Sequence, residues 1–372
     1  MRIRKIIGKL HLILGLSSGV IIVFLGITGC ILAFQREIES VSKPYQFIVA
    51  DANAVAKPPS VLQKIAEASL PGKLAHSITY SKRHRAVQVI FYGDDYFFIV
   101  YVDPYTGKVQ QVTDMSTDFF RVMIMGHYYL WLPPAIGQPI VASATLIFVV
   151  MMITGLVLWW PRNKAARKQR FSIKWNAGFK RKNYDLHNVL GFYMLTVGMV
   201  IALTGMVMGF QWFARSVYYT ASGGKKLNQY EETFSKKLQK DTAHSIQPAV
   251  DIVWQKMIAA HPDAQNFEVH FPENDSVSIG GVANPDADTY WKSDYRYFDQ
   301  YSLKEIEVKH LYGRYKNTTA ADKIMRINYD LHTGAALGLP GKILMFFASV
   351  IAASLPITGF ILWRGRRRNC KK

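Results

Sequence analysis

Four stretches of this chain, at about residues 10–34, 138–160, 186–213 and 340–363, each run for twenty or more residues almost without charge. About 20 apolar residues span the hydrocarbon core of a bilayer as a helix. A backbone crossing lipid must also satisfy its own hydrogen bonds. The four stretches therefore predict four transmembrane helices, with the rest of the chain as connections and domains on the two sides.

The net charge of +19 would suit a nucleic-acid partner if it covered one surface. It does not. Residues 1–9 carry four Lys/Arg, residues 161–186 carry nine against one Asp, and residues 364–372 carry six. Nearly all the excess thus flanks the apolar runs in three short segments. That is the positive-inside pattern, and it puts both termini and the middle loop in the cytoplasm. The long loops, 36–137 and 214–339, then lie outside. No P-loop, dinucleotide fingerprint, HExxH or Ser-His-Asp set occurs, so neither ATP nor nucleic acid is supported. Cys30 and Cys370 fall on opposite sides and cannot pair, and there is no CxxCH for covalent haem. The stretch Ile27-Thr28-Gly29-Cys30 resembles a lipoprotein cleavage signal. Because Leu203-Thr204-Gly205 repeats it inside the chain, helix 1 is expected to be retained.

The apolar segments come in two related pairs. His11, Gly15, Thr28-Gly29 and Phe34-Gln35 recur at identical offsets as His187, Gly191, Thr204-Gly205 and Phe210-Gln211. Arg121, His127, Gly137, Thr154-Gly155 and Trp159 recur within one residue of spacing as Arg326, His332, Gly341, Thr358-Gly359 and Trp363. Two helices, each used twice, predict a duplicated membrane core. The loops echo each other as well. In the first, 60–70 reads as an amphipathic helix. Strands follow near 75–80, 86–92 and 96–102, then an Asp103-Pro104-Tyr105-Thr106-Gly107-Lys108 turn. In the second, a helix near 247–260 precedes strands after His261-Pro262 and a related turn at 298–304.

The His-x3-Gly helix, the Arg-His-Gly-Thr-Gly-Trp helix and the Val-Asp-Pro-x-Thr-Gly-Lys turn together resemble the PepSY-associated transmembrane family. Bacterial inner-membrane siderophore-iron reductases belong to that family. The expected fold class is membrane α plus α+β, a duplicated four-transmembrane-helix bundle with two periplasmic PepSY-like α+β domains. Its segments are helix 1 in 1–35, a first domain in 36–126, and a pre-helix loop with helix 2 in 127–160. A basic loop in 161–185, helix 3 in 186–213 and a second domain in 214–331 follow. A pre-helix loop with helix 4 in 332–363 and a basic tail in 364–372 complete the chain. The resemblance implies a haem-containing reductase of imported ferric chelates.

The histidines point the same way on their own chemistry. A b-type haem needs two axial nitrogens on opposite faces and an apolar slot between helices. Charge asymmetry places His11 and His187 at the inner boundary, and His127 and His332 at the outer one. A helix of about 18 residues separates the two levels by roughly 27 Å, so each pair must serve its own iron. Two haem b groups are expected, with these four histidines as axial ligands. Gly15 and Gly191 border the inner ring, Gly29 and Gly205 face the outer one, and Thr154-Gly155 and Thr358-Gly359 flank the inner one. Arg121 and Arg326 are candidates for the propionates, though a phosphate-facing or loop-folding role is equally open to them. Tyr128, Tyr129 and Trp131 either shield the outer ring or belong to an interfacial belt. His76, His84, His244, His261, His270 and His310 show no ligand spacing and read as surface or structural groups.

The expected activity is electron transfer across the inner membrane, from a cytoplasmic reductase or a membrane quinol to a ferric siderophore outside. Hard oxygen chelators hold ferrous iron far more weakly, so one electron releases the metal. The rival is a non-enzymatic membrane scaffold, in which the PepSY-like domains bind a periplasmic protein and the histidines only anchor helix ends. A third reading keeps the haems but sends the electrons to another periplasmic acceptor.

Overall fold

The computed structural model describes residues 2–51, 53–161, 163, 167, 169–236 and 247–369, without the side chains of 367–369. His244 and Cys370 lie outside the described residues. In chain order the first elements are α1 (Arg2–Ala33), α2 (Gln35–Ser42), α3 (Pro59–Ala68), β1 (Ser77–Tyr80), β2 (Val87–Tyr92), β3 (Phe97–Val102) and β4 (Val109–Asp114). Next come α4 (Phe119–Tyr129), α5 (Pro134–Trp159), α6 (Phe179–Gly209), α7 (Gln211–Ala221) and α8 (Ala249–Ala260). The last are β5 (Asn266–His270), β6 (Ile279–Asn284), β7 (Asp294–Phe298), β8 (Glu305–Ile306), α9 (Ala320–Thr333) and α10 (Gly338–Asn369). They divide into two compact units.

The first unit comprises Met1–Gln35, Val122–Val217 and Asn328–Lys372. It contains four helices long and apolar enough to cross a membrane, and these match the four uncharged runs. α1 and α6 each pack against both α5 and α10, so the four close into a ring. α1 continues unbroken through Cys30, whose Sγ donates to the Phe346 carbonyl at 3.6 Å.

His127 and His332 are not on the spanning helices. They sit on α4 and α9, which double back sharply into α5 and α10. These reversals explain the repeated Gly137 and Gly341. A Cβ on Gly137 would lie 2.0 Å from the Tyr129 carbonyl oxygen, and one on Gly341 would lie 2.1 Å from that of Gly334. No side chain fits at these two points. Leu130 and Trp131 turn the first reversal with φ of 56° and 57°, a costly region for residues with a Cβ.

The second unit comprises Arg36–Arg121 and Tyr218–Ile327. The strands of the two expected α+β domains share one sheet here. All eight strands form one sheet in the order β4-β3-β2-β1-β5-β6-β7-β8, antiparallel throughout. The join is β1 on β5, from Ser77 opposite His270 to Tyr80 opposite Phe267. In two separate domains each of these strands would be an edge with unpaired N–H and C=O groups. Pairing them removes both edges. α3 and α8 pack with one face of the sheet, where Leu62, Ile78, Phe91, Val100, Val253, Met257 and Val269 form a shared core. Ser60 at the start of α3 donates its backbone N–H and its hydroxyl to Asp251 of α8, at 2.8 and 2.6 Å.

Met257 lies directly over Gly281, where a Cβ would come within 2.8 Å of its Cγ. Gly281→Val should therefore force α8 off the sheet and destabilise this unit by about 1–3 kcal/mol. Thermal melting of the detergent-solubilised chain, followed by proteolysis between β4 and β8, checks this.

The five described histidines of this unit, His76, His84, His261, His270 and His310, all make contacts inside it. His261 Nε2 lies 3.0 Å from Asp294, which also pairs with Arg296. His84 stacks on Phe47.

Candidate functional site: two histidine-lined cavities

The first unit holds four histidines, and each lies against a Thr-Gly pair of a neighbouring helix. The Nδ1 to Oγ1 distances are 2.9 Å for His11–Thr154, 2.8 Å for His127–Thr28, 2.9 Å for His187–Thr358 and 2.9 Å for His332–Thr204. In each case the following glycine makes room for the ring. A Cβ there would stand 3.4 Å (Gly155), 3.7 Å (Gly29), 3.2 Å (Gly359) and 3.4 Å (Gly205) from the histidine Cε1. The Thr-Gly repeat is thus a seat for an imidazole.

The threonines also fix the tautomer. Each hydroxyl has one hydrogen, and each donates it to the carbonyl four residues back: Thr28 to Phe24, Thr154 to Val150, Thr204 to Val200 and Thr358 to Ser354, at 2.7–2.9 Å. With its hydrogen so placed, the oxygen accepts from the histidine, an arrangement that assigns the proton to Nδ1 and leaves Nε2 its lone pair. For His332 the assignment has a second support, since its Nδ1 also lies 3.1 Å from the Ile201 carbonyl, which can only accept. Among the described residues no hydrogen bond reaches Nε2 of any of the four.

The histidines line two cavities, in pairs. The first, of about 170 Å³, is bordered by His127 and His332 together with Gly29 and Gly205. Its two imidazole centroids are 6.3 Å apart. The second, of about 410 Å³, is bordered by His11 and His187 together with Gly15, Gly191, Gly155 and Gly359. A Cβ on Gly15 would meet Met151 Cε at 2.8 Å, and one on Gly191 would meet Leu355 at 3.5 Å. Ile22, Phe148 and Met194 line both cavities and stand between them.

Of the aromatic candidates, Tyr128 lines the first cavity. Trp131 packs edge-on against Phe24 and donates Nε1–H to the Val122 carbonyl at 2.8 Å.

Arg121 and Arg326 line neither cavity; both belong to the second unit. Arg121 stacks over Phe97 at 5.2 Å. Arg326 stacks over Tyr295 and Tyr315 and donates Nη2–H to the Ser293 carbonyl. Its Nη1 is buried without a hydrogen-bond partner among the described residues. Burial lowers its pKa from the usual arginine value, with neighbouring tyrosines and carboxylates opposing.

One feature of the sequence escaped the two-copy comparison. The pentapeptide Asn-Tyr-Asp-Leu-His occurs at 183–187 and again, unchanged, at 328–332. Each copy gives one cavity its histidine and a lining tyrosine, Tyr184 or Tyr329. Its asparagine clamps the same threonine that the histidine uses. Asn183 donates to the Thr358 carbonyl and Asn328 to the Thr204 carbonyl, both at 3.0 Å. Its aspartate is almost wholly buried, at 1% exposure for Asp185 and 0% for Asp330. Asp185 is held by both Arg181 and the Lys174 backbone N–H.

A family profile described as the PepSY-associated TM region matches residues 9–366, nearly the whole chain. The chain belongs to the PepSY-associated transmembrane family. No curated protein matches it. Within this PepSY-associated membrane protein, the matched region spans both histidine-lined cavities and the sheet unit.

Proposed function

We propose that this protein is a di-haem b electron conduit of the bacterial inner membrane, built by duplication, that reduces ferric siderophores in the periplasm. One observation carries the reading: four histidines with Nδ1 on a threonine and, among the described residues, no partner at Nε2, sharing two apolar cavities in pairs. Metal-ligating histidines characteristically donate their other ring N–H to an acceptor, which sets tautomer and orientation. A bond of about 2 Å from imidazole nitrogen to a first-row metal, plus about 1 Å to the ring centre, gives two axial imidazoles a centroid spacing of about 6 Å. The His127–His332 spacing of 6.3 Å agrees with that. Among the described residues no three His, Cys, Asp or Glu side chains converge as a cation site. A metal held by two histidines would need further ligands, which a macrocycle supplies.

Haem b bound between such pairs supplies one-electron ferric/ferrous chemistry. The residues' own part is to orient the ligands through Thr28, Thr154, Thr204 and Thr358, and to keep water from the iron with apolar walls. Asn183 and Asn328 stiffen the seats. By the positive-inside rule the second cavity, beside the basic flanks, would face the cytoplasm, where a reductase or a membrane quinol would donate. The first cavity then faces the periplasm and the ferric chelate, whose iron leaves as Fe(II). For Arg121 and Arg326 a propionate-binding role rests on their spacing from His127 and His332 alone.

Purified protein should show a Soret band with sharp reduced α-bands. The pyridine haemochrome assay should give about two haems per chain, extractable with acidified acetone because no CxxCH attaches them. A colourless protein, or a ratio near one, would sink the two-haem reading.

A further inference from the structure

We infer that Arg170 and Arg366 form a carboxylate clamp on the second cavity, and that its ligands are the two propionates of the haem bound there. This rests on the haem reading above. Among the described residues the lining of that cavity contains no Asp or Glu, yet it includes these two guanidinium groups. Among the described residues neither has a carboxylate partner. The nearby Arg181, by contrast, is neutralised by Asp185 at 2.9 Å. Arg170 is half-buried and Arg366 exposed, so the two guanidinium groups stand at the rim of the cavity, where their planar forks match carboxylates.

Both groups are tied to the elements that hold His187. Asn188, the next residue, donates Nδ2–H to the Tyr184 carbonyl at 2.7 Å. That fixes its amide and leaves Oδ1 to accept from Arg170 Nη1 at 3.3 Å. Arg366 lies seven residues after Gly359, close to two turns of helix, so the two share a stripe of α10. Gly359 is the residue against which the His187 ring rests. A ring ligated by His187 would therefore meet one guanidinium from the α6 side and the other along α10. Haem carries two carboxylates on one edge, and two arginines match them in number and charge.

A phospholipid phosphate offers the same anionic chemistry, and the ligand's own ester separates the two. Full-length protein with His127→Ala, made without haem and kept in detergent, leaves the second cavity to be read alone. It should be titrated with ferric haem and with haem dimethyl ester, following the Soret band. Haem should bind roughly tenfold or more tightly than the ester. In R170Q/R366Q that preference should vanish, and in R170K/R366K part of it should return. Each single Gln variant should lose roughly half of it on a logarithmic scale, and these serve if the double variant does not fold. A preference that survives both Gln substitutions overturns the clamp. Equal binding of haem and ester before any arginine is changed overturns it as well. If no haem binds the cavity at all, the haem reading itself fails, which is a different result from either.

Discussion

His187→Ala is expected to empty the second cavity of haem while the first stays loaded, and His11→Ala should do the same. His127→Ala and His332→Ala should give the reverse pattern. The argument is geometric: His11 and His187 line one cavity, and His127 and His332 line the other. Loss of an orienting partner of a metal ligand typically costs about 10–100-fold in affinity, and loss of the ligand itself should cost more. The threonines provide the graded control. Thr204→Val keeps the His332 nitrogen but removes the acceptor at 2.9 Å, so it should weaken the first-cavity haem about 10–100-fold without abolishing it. Haem content and low-temperature α-bands of the five variants decide the matter. If the His11 and His127 variants lose the same haem, the pairing is wrong.

The parts of this arrangement that were legible in the sequence are those a periodic signal can carry. An uncharged run of helix-spanning length predicts a helix whatever surrounds it, so α1, α5, α6 and α10 follow directly. Repeat offsets put the four histidines in register, and charge asymmetry grouped them as His11 with His187 and His127 with His332. Partner choice carried no such signal. Alternation along 77–80 and 266–270 predicts strands but does not say that β1 pairs with β5, since those residues are far apart in the chain. The two loops therefore read as two domains where the structure has one sheet. The Thr-Gly pairs were visible as a repeat, but their use was not. A small residue beside threonine in an apolar helix looks like a packing notch, and only the structure seats an imidazole on it. The Asn-Tyr-Asp-Leu-His pentapeptide is legible as well, but it recurs between α6 and α9, across the pairing of α1 with α6 and α5 with α10.

An external reductant should separate the two pairs of histidine variants functionally. With the physiological donor on the cytoplasmic side, variants at His11 or His187 should fail to reduce ferric chelate outside, because the cavity nearest the donor is broken. Variants at His127 or His332 should fail too, because the cavity nearest the substrate is broken. A membrane-impermeant reductant added from outside changes only one of these cases. It reaches the intact first cavity of the His11 and His187 variants directly, so chelate reduction through the protein should return there. In the His127 and His332 variants the same reductant finds no competent cavity on its side, and protein-dependent reduction should stay at the level of empty membranes. The asymmetry follows from the placement of the basic flanks and does not depend on which donor is natural. Sealed, oriented vesicles with a ferrous-specific chromophore outside would report it. Equal rescue of both classes would mean that the first cavity is not the obligatory exit. The transmembrane route would then be wrong even with both haems in place.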